Sequence, residues 1–376
     1  MKKIPFNKPL ILGNEPEYLK KVISKNKFSG KGEFSSKCEE LLVNITGCTK
    51  AIMTSSGTSA MEIVAGLCDF QSGDEVIMPS FTHIGTANPF VNNNAGIVWC
   101  DIRPDTKNID ETKIEALITT KTKAIVAVHY AGIPCEMNLI KKICIKHNFL
   151  LIEDAAQALG SRYNNKSLGS FGDFAVLSFH ETKNIHCGEG GAVLINNPNF
   201  IEDAEILSNR GTDRKDFCKG LVGKYQWIRS SSNFSLSELQ SAFLYSQLLA
   251  INKILEKRIE IWEKYYSLFS EILPKDKLPI VLPISKHNGH LFYILTNDEA
   301  QRKKLISYLA GLGIQAVFHY SPLHTSPARE SFATVDLPIT DEISKTILRF
   351  PMFYDLTKEQ IEYIAATTKR FFKDEI

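Results

Sequence analysis

A lysine stands near the end of S-F-H-E-T-K-N, residues 178–184, a polar stretch between the apolar runs F-A-V-L and A-V-L-I. Ser178, His180 and Lys183 follow the first run at spacings of two and three residues. A lysine placed there is either a solvated loop charge or a nucleophile held at the edge of a sheet. The choice depends on which other groups the fold brings to that edge.

A second candidate group is Asp154, which closes an apolar segment and is therefore expected to be partly buried. A buried carboxylate stays ionised only beside a cation or several hydrogen-bond donors. Its partner is either a neighbouring arginine or lysine, or the protonated ring nitrogen of a cofactor. Gln157, three residues further on, would contact the same ligand if the chain is helical there.

A third candidate is S-S-G-T-S, which contains Gly57 and Thr58 at a predicted strand-to-helix turn. The first amides of a helix lack internal partners and can donate to a phosphate, helped by the helix dipole. A plain N-cap by Ser55 or Ser56 is the simpler interpretation, and it is favoured on this motif alone. The chain has no G-x-x-x-x-G-K-[ST] motif, which argues against a nucleotide P-loop.

Strand-like and helix-like segments alternate through the first half of the chain. Strands that are apolar on both faces and separated by helices predict a mostly parallel sheet covered by helices on each side. Ligands of such sheets bind beyond the carboxyl ends of the strands. The segments that follow the predicted strands are S-S-G-T-S, P-S-F-T-H, H-Y-A-G, E-D-A-A-Q and S-F-H-E-T-K-N. The unusual residues should therefore converge on one edge.

The second half has a different pattern. Residues 237–269 predict a long connecting helix, and the later runs P-I-V-L-P, H-L-F-Y-I-L and Q-A-V-F-H-Y predict strands. Further helices are predicted over 301–309 and 358–372. The sequence thus indicates an α/β protein with a large domain, residues 1–250, and a small α+β domain, residues 251–376.

Composition excludes several classes of protein. The chain has 376 residues and a net charge of +2, with basic and acidic residues interspersed, so nothing favours nucleic-acid binding. No segment approaches the roughly 20 apolar residues of a membrane span. The eight cysteines include no C-x-x-C pair, and the histidines are scattered, so we expect neither disulfides nor a metal site. A cytoplasmic protein is the simplest expectation.

One scheme uses all the candidate residues at once. Pyridoxal phosphate needs a lysine that bonds to its aldehyde, a carboxylate at its ring nitrogen, an aromatic platform and a cup for its phosphate. Lys183 and Asp154 supply the first two, and His83, directly after P-S-F-T, can lie flat on the ring. The phosphate cup is formed by Gly57, Thr58 and Ser178.

The ordered motifs S-G-T-S-A, P-S-F-T, E-D-A-A-Q and S-F-H-E-T-K-N…G-E-G-G resemble those of the DegT/DnrJ/EryC1/StrS sugar-nucleotide aminotransferases. The similarity runs from Pro5 to Tyr354. It implies the aspartate-aminotransferase fold, fold type I of the pyridoxal-phosphate-dependent transferases. It also implies that the substrates are L-glutamate and a nucleotide-linked keto-sugar.

Within the family, P-D-T-K-N-I-D-E-T, H-Y-A-G-I-P-C-E-M and V-F-H-Y-S-P-L-H are most similar to members acting on C4 of dTDP-4-keto-6-deoxyglucose. The product would be dTDP-4-amino-4,6-dideoxygalactose, a precursor for O-antigen of lipopolysaccharide. Amination at C3, a GDP- or UDP-linked sugar and a non-catalytic relative remain as alternatives. Related dehydratases carry histidine in place of the lysine, so Lys183 argues against that class.

The resemblance also implies roles for individual residues. Lys183 would bond to the cofactor, Asp154 would hold its ring nitrogen and Gln157 would meet its ring oxygen. Asn233, in S-S-N-F-S, matches an asparagine that reaches the phosphate from the partner subunit, which implies a homodimer with shared active sites. The remaining implied cofactor contacts are Ser56, Gly57, Thr58, His83, Ser178 and His180, and the implied sugar contacts are His319 and His324.

Two positions depart from the family pattern. The ring-stacking residue is commonly Phe, Tyr or Trp, whereas this chain has His83. The segment around Asn233 usually reads G-Y-N-x-R, and here both the glycine and the arginine are missing.

Overall fold

The computed structural model describes residues 3–328 and 335–374. The strands are β1 (Lys50–Thr54), β2 (Glu75–Pro79), β3 (Gly96–Cys100), β4 (Thr122–Val128), β5 (Leu150–Asp154), β6 (Arg162–Tyr163), β7 (Lys166–Ser167), β8 (Phe174–Ser178), β9 (Gly191–Ile195), β10 (Ser285–Lys286), β11 (Tyr293–Leu295), β12 (Val317–Phe318) and β13 (Ile347–Arg349). The helices are α1 (Glu15–Ser24), α2 (Glu33–Thr46), α3 (Gly57–Leu67), α4 (Ile84–Asn92), α5 (Glu111–Ile114), α6 (Met137–His147), α7 (Ile201–Ser208), α8 (Arg214–Cys218), α9 (Glu238–Leu249), α10 (Ile251–Phe269), α11 (Glu299–Gly311), α12 (Pro338–Thr346) and α13 (Lys358–Asp374).

Within the described residues the main sheet has seven strands in the order β1-β9-β8-β5-β4-β2-β3. The pairs from β8 to β3 are parallel, and β9 is antiparallel to both its neighbours. All strands except β9 therefore point to the same edge of the sheet. The prediction of a mostly parallel sheet with helices between its strands is confirmed.

Apolar side chains on the two faces of this sheet form two separate clusters. One includes Ile125 and Leu194, and the other includes Val126 and Val193, so neighbouring residues of one strand alternate between faces. Each cluster is covered by helices, which is why the strands are apolar on both sides.

A third cluster lies in the C-terminal part of the chain, around the three-stranded sheet β11-β13-β12. Ile4 belongs to this cluster and forms a parallel bridge with Ile314, so the N-terminal residues pack against the C-terminal part. The division at residue 250 stays a prediction.

Two predicted elements differ from the structure. The long helix over 237–269 is two helices, since the backbone at Ala250 leaves the helical region between α9 and α10. The strand predicted for P-I-V-L-P is wrong: this segment is not paired, and β10 begins only at Ser285, where it pairs with β6. Proline lacks the amide that a strand ladder needs, so the two flanking prolines keep the apolar run out of a sheet.

The start of α2 is completed by a residue far along the chain. The carboxylate of Glu238, the first residue of α9, accepts hydrogen bonds from the backbone amides of Gly32 (3.1 Å), Phe34 (2.8 Å) and Ser35 (3.0 Å). Glu238 is buried. These amides are the unpaired donors of a helix start, so one carboxylate from α9 replaces a local N-cap.

No helix among the described residues has the length and apolar character needed to cross a membrane. In the same ranges, no group of three or more His, Cys, Asp or Glu side chains could hold a metal ion.

Candidate active site

A cavity of about 710 Å³ opens where the strands of the main sheet end. Its walls come from the loops after β1, β2, β4, β5 and β8, and also from β13 and the segment after β12. Because this edge receives the carboxyl ends of six strands, side chains distant in sequence meet in one space. The prediction that polar residues after the strands converge at one edge is confirmed for their positions.

Lys183 lies in the loop after β8, and its amide donates to the carbonyl of His180 in a tight turn (2.9 Å). The side chain enters the cavity, and the structure records no hydrogen bond or ion pair of its amine with any described residue. Burial lowers the pKa of Lys183 to about 8, although the charge of Asp154 acts in the opposite direction. The lysine is therefore not a solvated loop charge.

Asp154 ends β5, beside β8, and is buried at the floor of the cavity. Its Oδ2 accepts a hydrogen bond from the hydroxyl of Thr86 (2.6 Å), and its Oδ1 accepts one from the amide of Ala156 (3.1 Å). Among the described residues it has no ion pair. A buried carboxylate with neutral partners, facing a cavity, suits a cationic ligand group such as a protonated ring nitrogen.

The start of α3 forms another wall. Ser56 caps the helix by accepting a hydrogen bond from the amide of Ser59 (3.0 Å), so the simple N-cap interpretation of this motif holds. Gly57 approaches Ser178 so closely that a Cβ on it would lie 3.0 Å from the Cβ of Ser178. The amides of Gly57 and Thr58 have no acceptor within the helix. A phosphate-sized anion is the ligand that such a wall would accept.

His83 precedes α4 as its N-cap, with Nδ1 accepting a hydrogen bond from the amide of Gly85 (3.0 Å). Its ring is exposed to the cavity. Partial loss of water around the ring inside the cavity lowers the pKa of His83, and the charge of Lys183 lowers it further. The imidazole is thus favoured in its neutral form, which is the better form for stacking on a flat, cationic ring.

The side chain of Gln157 is engaged at both ends. Its Oε1 accepts a hydrogen bond from the amide of Ala131 (2.7 Å), and its Nε2 donates to the hydroxyl of Tyr320 (2.9 Å). Its contact with a cofactor stays a prediction. His180 also lines the cavity, where its Nδ1 lies 2.8 Å from the hydroxyl of Thr182.

The structure separates the two histidines predicted to contact the sugar. His319 lines the cavity, stacks on Tyr320 at 3.8 Å between ring centroids and lies 3.2 Å from the hydroxyl of Tyr130. His324 is not part of the lining. It is buried with Nδ1 2.7 Å from the hydroxyl of Ser80, so the fold uses it to pack the loop after β2.

Asn233 lies elsewhere. It is exposed and lines a second cavity, of about 650 Å³, together with the cations Lys31 and Lys50. It is absent from the lining of the cavity that holds Lys183. Within one subunit, the structure does not bring these two residues together.

Several lining residues were not predicted, and three of them are closest to the chemistry of the site. Thr86 reads as an ordinary helix residue, Tyr320 as one of several aromatics in Q-A-V-F-H-Y, and Arg349 as the end of a strand. Each acquires its position only through tertiary contacts. Only Arg349 had a signal in the sequence: in R-F-P, a charged residue interrupts an otherwise apolar segment.

The similarity to known proteins covers nearly the whole chain. The model of the DegT/DnrJ/EryC1/StrS aminotransferase family matches residues 10–369. Among solved structures, Helicobacter pylori PseC, an aminotransferase involved in the biosynthesis of pseudoaminic acid, is 29% identical, with a TM-score of 0.91 over 99% of this chain and 100% of that chain.

Two further structures are similar over their full length. DesV from S. venezuelae is 26% identical and has a TM-score of 0.91, with 99% of each chain covered. The PLP-form of Spr1654 from Streptococcus pneumoniae is 25% identical with a TM-score of 0.90, and all of both chains is covered. The predicted fold, an α/β aminotransferase fold of type I, is confirmed by these likenesses.

Proposed function

The chain belongs to the DegT/DnrJ/EryC1/StrS aminotransferase family, and from this premise we propose that it aminates C4 of dTDP-4-keto-6-deoxyglucose with L-glutamate as donor. It is a sugar aminotransferase whose cofactor is pyridoxal phosphate. The products would be 2-oxoglutarate and dTDP-4-amino-4,6-dideoxygalactose, a building block for a cell-surface polysaccharide. The observation that carries the transamination is that Lys183 and Asp154 line one cavity and that neither forms an ion pair with a described residue. The choice of C4 and of dTDP is supported by the motif resemblance alone.

When bound, pyridoxal phosphate supplies an aldehyde that bonds to amines and a ring that takes up electrons when a proton leaves the neighbouring carbon. The chain's own groups fit this chemistry. Because the pKa of Lys183 is lowered to about 8, a useful fraction of its amine is neutral near pH 7 and can act as nucleophile and then as base. Asp154, oriented by Thr86, would hold a proton on the ring nitrogen.

The substrate assignment is tested with a panel of keto-sugar nucleotides. The purified protein is incubated with L-glutamate and with 4-keto and 3-keto sugars linked to dTDP, GDP and UDP, and the amine position of the product is determined by NMR. We expect amination of the dTDP-linked 4-ketone with the galactose configuration. A product aminated at C3, or a preference for GDP or UDP, would replace the assignment, and no amination of any sugar would favour a non-catalytic relative.

We also propose that the enzyme is a homodimer with shared active sites. Asn233 is exposed and lies outside the cavity of Lys183 in its own subunit, so a contact with the cofactor phosphate requires a second copy. The alternative is that Asn233 serves only its own loop, where its Oδ1 accepts a weak hydrogen bond from the amide of Ser235 (3.4 Å).

Co-expression of two defective subunits distinguishes these alternatives. Lys183→Ala and Asn233→Asp should each be nearly inactive alone, the second because it sets a negative charge beside the phosphate. Random pairing should restore about a quarter of the wild-type activity, since one site in half of the dimers has both native residues. As a control, co-expression of Lys183→Ala with Asp154→Asn should restore no activity. Lys183 and Asp154 of one site come from the same subunit, so no site in a mixed dimer has both native residues. Absence of recovery in the first pair would contradict shared sites.

His83 is proposed to stack on the cofactor ring in place of the usual aromatic residue. Both His83→Phe and His83→Ala lose the bond that caps α4, so a comparison of the two isolates the ring itself. We expect Phe to keep activity within about tenfold of wild type and Ala to lose clearly more, because aromatic stacking contributes about 1 kcal/mol. Steady-state kinetics and the dissociation constant of the cofactor measure this. Equal losses in the two variants would mean that His83 acts only as a cap.

A further inference from the structure

His290 is a histidine of the active-site cavity that has no part in the chemistry described so far. It lies in the loop between β10 and β11, and its Nδ1 is 3.0 Å from Oδ1 of Asn184, the residue directly after Lys183. Asn184 is buried and does not line the cavity, whereas His290 does. The ring therefore extends from the wall, where Nδ1 is engaged, into the cavity, where Nε2 has no hydrogen-bond partner among the described residues.

The hydrogen bonds of Asn184 determine which nitrogen of His290 carries the hydrogen. Nδ2 of Asn184 donates to the carbonyl of Asn288 (2.9 Å), so its Oδ1 faces His290; the flipped amide would set two buried oxygens against each other. An amide oxygen can only accept, so Nδ1 of His290 is the donor. Burial, and then the charge of Lys183, lowers the pKa of His290 well below its usual range, which keeps the ring neutral. Nε2 is therefore a bare acceptor.

The backbone of His290 is held as firmly as its ring. The guanidinium of Arg258, which is buried in α10, donates to the carbonyl oxygens of Gly289 (3.1 Å) and His290 (2.6 Å). Because Asn184 binds one edge of the ring and Arg258 binds the main chain, Nε2 is presented at one fixed place in the wall. A few polar groups fixed in this way are what orient a ligand in a binding pocket.

A bare imidazole nitrogen discriminates among the ligands of a sugar transamination. It cannot bind the carboxylates of L-glutamate or the phosphate groups of the cofactor and the nucleotide, because these anions offer acceptor oxygens near pH 7. The groups that can donate to it are the amine of the donor and the hydroxyls of the sugar. The amine gives up hydrogens when it bonds to the cofactor, whereas a sugar hydroxyl keeps its hydrogen throughout the reaction. A hydroxyl is therefore the best match for Nε2 of His290.

We propose that Nε2 of His290 accepts a hydrogen bond from the hydroxyl next to the ketone of the sugar substrate, and that this bond helps to select the sugar. The ketone has to meet the reacting amine near Lys183, whose charge contributes to the lowered pKa of His290. For a 4-ketone this hydroxyl is on C3, since C5 of the proposed 6-deoxy sugar has none. The inference rests on the proposed function. In this account His290 takes the place of His324, which lies outside the cavity lining.

Two substitutions separate the functions of the two ring nitrogens. The amide nitrogen of asparagine reaches about as far as Nδ1, so His290→Asn keeps a donor for Asn184 and leaves no group in the place of Nε2. Glutamine is one carbon longer, so His290→Gln keeps an amide in the place of Nε2 and loses the bond to Asn184. A role in sugar binding predicts the larger defect in His290→Asn, and a purely structural role predicts it in His290→Gln.

The variants are compared in steady-state kinetics with dTDP-4-keto-6-deoxyglucose and with its analogue that lacks the C3 hydroxyl. We expect His290→Asn to lower kcat/KM for the full substrate about tenfold, the value of one hydrogen bond, and His290→Gln to lower it clearly less. With the analogue, wild type and His290→Asn should be equal, because the bond is then missing in both. The half-reaction with L-glutamate, which needs no sugar, should keep its rate in both variants.

His287, in the same loop, provides the matched control. Its Nδ1 accepts a hydrogen bond from the amide of Gly289 (3.2 Å), its ring packs on Trp262, and it does not line the cavity, so His287→Asn should leave kcat/KM for both sugars unchanged. The proposal is overturned if His290→Asn loses equally on both sugars, if the glutamate half-reaction slows as much, or if His290→Gln is the worse variant.

Failure of the proposed function gives a different result. If wild type carries out the glutamate half-reaction but does not aminate dTDP-4-keto-6-deoxyglucose, the sugar assignment is wrong, and His290 is tested with the keto-sugar that the panel identifies and its analogue without the hydroxyl next to the ketone. If no keto-sugar is aminated at all, both the proposed function and the role of His290 are refuted.

Discussion

Lys183→Met is expected to lower the rate of transamination by about 10⁴-fold or more, because it removes both the group that bonds to the cofactor and the base that moves the proton. Methionine has nearly the length of lysine and carries no amine, so it leaves little empty space in the loop after β8. Steady-state turnover with L-glutamate and the sugar nucleotide measures the effect. Turnover above about one hundredth of the wild-type rate would contradict the role of Lys183.

The same variant should be at least as stable as wild type without cofactor, which separates loss of chemistry from loss of fold. The pKa of Lys183 is about 8 in the folded protein and 10.5 in the unfolded chain, so below pH 8 the buried charge destabilises the fold. The cost is on the order of 3 kcal/mol, and it disappears as the pH rises from 8 to 10.5. Denaturant unfolding at pH 7 and at pH 10 should therefore show an advantage for Lys183→Met that shrinks at the higher pH.

Asp154→Asn is expected to lower turnover by about 10³-fold while the cofactor remains bound, since a neutral amide cannot hold the proton on the ring nitrogen. Asparagine keeps the size of the side chain and can still accept the hydrogen bond from Thr86. Thr86→Val removes that bond together with the contact between the hydroxyls of Thr86 and Thr82 (2.8 Å). It should cost about tenfold, because the carboxylate remains and loses only its orientation.

A second aspartate at the same edge of the sheet provides the control. Asp101 follows β3 and is buried, but it accepts hydrogen bonds from the amide and hydroxyl of Thr340 (2.9 and 2.8 Å) and pairs with Lys113 (3.1 Å). Asp101→Asn should lower the free energy of unfolding and leave turnover per folded molecule nearly unchanged. If Asp154→Asn behaved like Asp101→Asn, the carboxylate of Asp154 would be structural.

The positions predicted best are those at the end of an apolar strand or in the loop that follows it. Asp154 and Lys183 follow buried segments whose type and direction are encoded locally, and parallel strands deliver their carboxyl ends to one edge. Gly57 was predicted for a similar reason, since a helix start after a strand has a recognisable residue pattern.

Residues whose position depends on packing between distant segments were predicted less well. The position of His324 depends on Ser80, 244 residues earlier, and this contact takes it out of the cavity lining. Thr86, Tyr320 and Arg349 enter the site through similar long-range contacts, and nothing in their immediate neighbours indicates this. The pattern of P-I-V-L-P is apolar enough for a strand, but hydrophobicity alone does not provide the amides that pairing requires.

The capping of α2 by Glu238 has a consequence for the order of folding during synthesis. The ribosome makes α2, which ends at Thr46, and then nearly two hundred further residues before it adds Glu238, whose carboxylate completes the first turn of α2. β1 also lacks its partner strand until late in synthesis, because it pairs with β9, with residue 50 opposite residue 195. We expect nascent chains that stop before Glu238 to leave α2 open to protease, and longer chains to protect it.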